Sequence, residues 1–422
     1  MSIEHPLLLI PLACCLLALA FLFWRLRTII TPFHFCFALF AVELVLAMHH
    51  LMIPDLYGRT LTAAFAPTTL FMIIGGIGSL TLATLFVRRP RQFLLKDYRV
   101  RLRYPRLPTI AVMLALPLVS LVISYRRLGT LPLLALGRAL PGESVSYDDV
   151  YQGSITFIAW GAARALAIWL IVEMAVSRDS MSGFVRRNFV LVAATAIGLV
   201  LNGFDGQRNM VIIPFVLGAF ALSLTGALKL RHYLTVGFLL GLYFLIVGEF
   251  RSSQDATVMI GVSTGTQGGD KAVAAFVTYT EPNLDNLNNL VRFHPRPTYG
   301  LVTLSRLVPG PLIRPFVEIP PSPVEVMNDN HLFSQPGFTV RTIYGDFYPD
   351  FGAIGSVLLC FVVYAGSIYF FNRASRSPRA LLVYLLLATG ITCIPFMNMI
   401  AGIQAVSPFA LLHLLRIEYA PE

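Results

Sequence analysis

Three arginines are the residues whose surroundings most directly suggest chemistry: Arg208, Arg251 and Arg341. Arg208 lies in Gly206-Gln207-Arg208-Asn209, behind an apolar run at 189–201. At about 1.5 Å per residue that run is too short to cross the hydrocarbon core. The turn at 202–209 is therefore expected below the membrane surface, in a protein-lined cavity. Charged residues at such depth are costly and are functional candidates by default. Arg251 directly follows an apolar segment ending in Glu249, and Arg341 shortly precedes the next one. Arginines brought together from three segments suit phosphate, because the planar guanidinium binds oxygens bidentately and stays charged. The plain alternative is a set of interfacial arginines reaching for water.

Other polar residues have simpler readings. Glu43 and Arg164 fall mid-helix and suggest a buried ion pair, since either charge alone would be expensive. His49 and His50 are adjacent, share no helix face and do not suggest a metal site. Asp148-Asp149 is an acidic pair in an outward loop, able in principle to hold Mg²⁺ at a phosphate. No P-loop, HExxH, Gly-x-Ser-x-Gly or Rossmann glycine pattern is present.

The elements that must position these residues are membrane helices. Mean hydropathy is +0.72, with 56% hydrophobic and 13% charged residues, so the chain reads as an all-α polytopic membrane protein. Its +10 charge is dispersed among loops, which excludes a nucleic-acid face and points to topology signals. The five cysteines lie in apolar segments, so no disulfide framework is expected. Candidate spans are 7–24, 32–54, 67–87, 107–125, 152–175, 188–202, 210–228, 233–249, 351–371, 380–399 and 404–416, about eleven in all. The first is read as a retained helix, since no basic n-region precedes it. Arginine and lysine concentrate in the alternate loops that include 88–106 and 373–379. That asymmetry places the N-terminus outside and the C-terminus in the cytoplasm. The basic stretch 88–106 reads as an interfacial segment on anionic lipid.

The chain thus divides into membrane helices at 1–249, an outward loop domain at 250–350 and C-terminal helices at 351–422. The loop carries proline, aromatic and apolar residues, unlike a flexible linker, and reads as a folded lid or pocket wall. No repeat or duplicated broken helix is evident, which weakens a transporter reading.

Several short motifs carry a resemblance. They are Gly206-Gln207-Arg208-Asn209, Gly248-Glu249-Phe250-Arg251, Pro297-Thr298-Tyr299-Gly300 with Ser305-Arg306-Leu307-Val308-Pro309, and Arg341 before Tyr344-Gly345-Asp346-Phe347 and Asp350-Phe351-Gly352. Together they resemble Wzy-type O-antigen, or oligosaccharide repeat-unit, polymerases over nearly the whole chain. Arg341 and Gly352 match an Arg-x10-Gly pattern of some such polymerases; from Arg251 the nearest glycine, Gly261, falls one residue short.

The resemblance implies a GT-C-like membrane glycosyltransferase in a bacterial inner membrane, with the loop domain in the periplasm. It implies undecaprenyl diphosphate-linked oligosaccharides as substrates. A growing glycan would pass from one carrier to the non-reducing end of a new repeat unit. The related O-antigen ligases are the alternative, and a flippase for the same lipids is a third reading. No cofactor, nucleotide sugar or metal is implied. Membrane lipids and a Wzz-like chain-length regulator are the expected partners. Arg208, Arg251 and Arg341 would hold the diphosphate, where positive charge stabilises the leaving group. Tyr299, Arg306, His294 and Arg296 would contact glycan. The acceptor hydroxyl needs one base. His331 is a candidate because its ordinary pKa lies near neutrality, with Asp329 close by. The carboxylates Asp346, Asp350 and Glu249 are the others. His294, flanked by Arg292 and Arg296, fits a sugar contact better than a base.

Overall fold

The computed structural model describes residues 6–27, 29–49, 65–90, 95, 98–102, 104–132, 154–204, 208–224, 235, 238, 282–293, 297–307, 315–318, 320–330, 341–395, 403–414 and 417–421. Its helices are α1 (Leu9–Leu26), α2 (Pro32–His49), α3 (Pro67–Thr84), α4 (Arg106–Leu128), α5 (Ser154–Val176), α6 (Met181–Arg187), α7 (Phe189–Phe204) and α8 (Arg208–Leu224). Further along come α9 (Pro282–Phe293), α10 (Leu301–Leu307), α11 (Pro323–Asp329), α12 (Thr342–Ala374), α13 (Pro378–Cys393) and α14 (Ile403–Leu414). Helices thus fall in the ranges expected from sequence; of 233–249 only Thr235 and Phe238 are described, and both are helical. Among the described residues five helices are long and apolar enough to cross a bilayer: Pro6–Leu26, Pro67–Thr84, Arg106–Leu128, Ile158–Val176 and Thr342–Ala374.

The expectation of a purely helical chain needs one correction. Strand β1 (Tyr98–Leu102) pairs antiparallel with β2 (Ile417–Pro421), with Arg101 opposite Glu418. The sequence Tyr-Arg-Val-Arg-Leu alternates apolar and polar, the period of a strand rather than of an interfacial helix.

The chain forms two compact units. One comprises residues 1–89, 258–369 and 387–402, the other 90–257, 370–386 and 403–422. In the second, α5 is the central helix, touching α4, α7, α8 and α14. It can be surrounded because its positions 159, 162, 163, 165 and 167 are alanines, all buried, which let neighbouring helices approach closely. The ends of α4, α5 and α7 are tied at one level. Arg106 donates to Glu173 at 2.9 Å and to Asn188 at 2.6 Å, and Trp169 Nε1 donates to Glu173 at 2.7 Å. This is the grouping that alternating loops require, since 88–106 and 176–188 must share a side.

In the first unit α1 packs on α2 and α3, and α9 packs on the same pair. Thr84 and Tyr364 share a hydrogen bond of 2.8 Å, and Phe33 meets the Tyr364 ring edge-on at 5.1 Å. The Glu43–Arg164 pair expected from sequence is not how Glu43 is satisfied: it accepts from Asn283 Nδ2 at 2.5 Å. Arg164 is buried in the second unit and has partners of its own.

Candidate functional site

Helix α12 begins earlier than hydropathy predicts and is not straight. Gly352 interrupts it at φ 64°, ψ −174°, a conformation open essentially to glycine alone. The segment before the bend folds back along the segment after it. Tyr344 contacts Cys360, although sixteen residues of straight helix would separate them by roughly 24 Å. The contact is symmetric about Gly352. Residues 342–351 are therefore a half-helix whose N-terminal end points down among the apolar helices.

Its depth can be read from its neighbours. The Tyr344 ring fills the space beside Gly76, where any Cβ would collide with it. Gly76 lies nine residues into α3, roughly 13 Å from its start. Tyr344 also stacks on Phe40, near the middle of α2, with centroids 6.4 Å apart. Arg341 precedes this half-helix and is therefore deeper than the membrane-surface position expected from sequence. It is 3% exposed and ion-paired to Asp346, itself 4% exposed. The stem of Arg341 lies over Gly345, with Cγ 3.0 Å from where a Cβ would stand. Asp346, expected as a possible base, is engaged in holding Arg341.

Asp350, the last carboxylate before the bend, is a structural clamp. Its Oδ1 accepts from Thr298 Oγ1 at 2.5 Å, Gly300 N at 3.0 Å and Val302 N at 3.2 Å. Its Oδ2 accepts from Thr303 N and Thr303 Oγ1, both at 2.6 Å. Those backbone donors are the orphan N–H groups at the start of α10. With both oxygens occupied, Asp350 is not placed to take a proton from substrate. The clamp fixes the loop that presents Tyr299, which is 82% exposed and held at φ 49°.

A second helix start reaches into the same unit. Helix α9 opens Pro-Asn-Leu-Asp, with proline in the first turn and Asp285 beside it. Leu284, Leu287 and Leu290 are buried, and so are Asn283, Asn286, Asn288 and Asn289. Asn283 meets Glu43 on α2, while Asn288 Oδ1 accepts from Ala66 N at 2.8 Å and Thr69 Oγ1 at 3.0 Å at the start of α3. Glu43 and Phe40 are three residues apart on α2, a rise of roughly 4.5 Å. The starts of α9 and of the α12 half-helix therefore lie within about one helical turn of each other in depth.

Asp285 was missed in sequence reasoning. The residue is half-buried, but protein surrounds its carboxyl, and lost hydration pushes its pKa from 3.8 up to about 7. The signal was present in Asn283-Leu284-Asp285-Asn286-Leu287-Asn288-Asn289, where leucine recurs at helical spacing while amides fill the gaps.

The remaining candidates are placed less fully. Arg208 is the first residue of α8 and Arg306 lies within α10, described at the backbone only. His331, Glu249, Arg251, His294, Arg296 and the pair Asp148-Asp149 lie outside the described residues. The structure thus brings together Arg341 and Asp346, and joins Asp350, at the end of the half-helix, to the loop before α10 that carries Tyr299. No family model, curated protein or solved structure matches the chain.

Proposed function

We propose that this protein is a membrane glycosyltransferase that polymerises oligosaccharide repeat units carried on undecaprenyl diphosphate. The observation that supports the reading is the buried Arg341–Asp346 pair at the inward-pointing start of the α12 half-helix. An ionisable pair at mid-helix depth is costly and is a functional site by default. A helix start carries partial positive charge, and a guanidinium adds a fixed charge in a planar fork. Together they suit a diphosphate leaving group entering sideways from the bilayer. Asp346 orients Arg341. Positive charge there stabilises the developing diphosphate more than the bound donor, so it lowers the barrier. Once the diphosphate is neutralised, no general acid is needed. A single displacement by the acceptor hydroxyl inverts the anomeric centre.

In this reading the chain crosses a bacterial inner membrane about eleven times, with 250–350 and the N-terminus in the periplasm. Tyr299, Arg306, His294 and Arg296 line the glycan path, and a Wzz-like regulator sets chain length. The test is surface polysaccharide banding in a strain lacking the protein. A polymerase leaves a single capped repeat unit. Loss of all capping with accumulation of carrier-linked polymer would make the protein a ligase instead. Complementation with Arg341→Lys should restore only part of the polymer, since a point charge does not reproduce the bidentate fork.

A further inference from the structure

We propose that Asp285, on the buried first turn of α9, is the general base that accepts the proton of the attacking sugar hydroxyl. The proposal rests on the polymerase reading above and names a residue of that site.

Placement is the first argument. Asn283, two residues before Asp285, touches Glu43 on α2, and Phe40 on the same helix stacks on Tyr344. Asp285 therefore enters the unit at nearly the depth of the half-helix that carries Arg341 and Asp346. A base must stand close to the leaving group's site, because acceptor and donor meet there.

Rigidity is the second. Helix α9 is pinned at its start by Asn283 to α2 and at its middle by Asn288 to the start of α3. Buried side-chain amides make poor general packing, and their hydrogen bonds fix the rotation and depth of the helix. Asp285 is held by these pins without being used by them. Among the described residues its carboxyl has no hydrogen-bond or ion-pair partner, in contrast to Asp346 and Asp350.

The third is the balance of forces on the carboxyl. A first-turn position favours the charged form through the helix dipole, by at most about one to two pKa units. Burial outweighs that and brings the group into the range where a base is effective at neutral pH. The titratable groups on the packed neighbours are His34, Cys36, Glu43 and His49 on α2; α3 carries none. Arg292 follows two turns later on α9 itself.

The step balances simply. The hydroxyl oxygen forms a bond to the anomeric carbon as the bond to the diphosphate oxygen breaks. The hydroxyl proton moves to the Asp285 carboxylate, and the electron pair leaves with the diphosphate.

The experiment uses the purified full chain in lipid nanodiscs. Its substrate is lipid-linked repeat units extracted from cells of the source strain lacking this protein. Wild-type turnover should rise with pH through a single ionisation near neutrality. Asp285→Asn should cut turnover by about two to four orders of magnitude, the usual range for a lost base. It should keep donor binding and lose no thermal stability. Asp285→Glu should retain part of the rate with a displaced pH limb. An Asn variant within about threefold of wild type, or one keeping the same pH limb, overturns the assignment while leaving the polymerase reading intact. Wild-type protein that makes no polymer from these units overturns both.

Discussion

The Asp350 clamp makes the sharpest structural prediction. One carboxylate accepts five hydrogen bonds, three of them from backbone N–H groups of Gly300, Val302 and Thr303. Hydrogen bonds to a charged group contribute about 1.5–3 kcal/mol each, but bonds to one acceptor are not additive. Asp350→Asn keeps one oxygen and sets an NH₂ against donors, either Thr303 or the Oδ1 cluster. It should cost about 2–4 kcal/mol, the loss of two charge-assisted bonds plus an unmatched donor. Asp350→Ala, which strands every donor, should cost about 3–5 kcal/mol. Thr303→Val removes one hydroxyl bond and should cost about 1 kcal/mol. The assay is unfolding of the purified protein in detergent, paired with amide hydrogen exchange at 300–303. Exchange there should accelerate well before global unfolding. An Asn variant within about 0.5 kcal/mol of wild type, with unchanged exchange, would refute the clamp.

Four further outcomes follow from the same geometry. Tyr299 is exposed and left-handed, so Tyr299→Gly should stabilise the fold by about 0.5–1 kcal/mol in thermal unfolding, and glycan turnover should fall if the ring contacts sugar. Gly352→Ala meets no atoms yet should cost about 1–3 kcal/mol, because the bend's backbone conformation excludes a Cβ; an unchanged melting temperature would count against the bend. Gly76→Ala should be worse tolerated than Gly78→Ala, since only the former strikes the Tyr344 ring, and expression yield of folded protein reads the difference. Folding raises the Asp285 pKa from 3.8 to about 7, so the native state holds that proton more tightly than the unfolded chain. Its contribution to stability is therefore greatest below about pH 4, declines as pH rises to about 7, and is flat above. The whole span is about 4 kcal/mol, and Asp285→Asn should remove the slope.

Helix positions were legible because apolar runs of about 20 residues leave few alternatives in a bilayer. The bend in α12 was not. Residues 342–351 contain Tyr344, Asp346, Asp350 and Pro349, and by hydropathy they read as the end of a polar loop. They are helical because the half-helix buries its polar groups in pairs: Arg341 with Asp346, and Asp350 with the start of α10. Hydropathy counts single residues and does not register such pairing. The Arg-x10-Gly spacing did mark the segment's two ends, with Arg341 at its entry and Gly352 at its bend. The role of Asp350 could not be separated from that of Asp346 in the sequence, since both are carboxylates followed by phenylalanine. Only the fold tells a clamp from a free group. Glu43 was rightly singled out as an expensive buried charge, but its partner is an amide 240 positions away, beyond the reach of any local pattern. Strand β1 was hidden for the same reason, because its pairing partner lies at 417–421.

That ribbon, and the interleaving of the two units, has a consequence for how the protein is made. Each unit draws on three separate stretches of chain. Neither can be completed by the ribosome before the other is well advanced. Strand β1 emerges early and must remain without its partner while everything between Leu102 and Ile417 is synthesised and inserted. At about 5–20 residues per second that wait lasts some tens of seconds. Through that interval the segment that becomes β1, with Arg99 and Arg101 in it, lacks the strand it pairs with. Charge on a bare edge is the usual protection against pairing with the wrong chain. Arg99 and Arg101 put such charge on the segment until Ile417–Pro421 pairs with it.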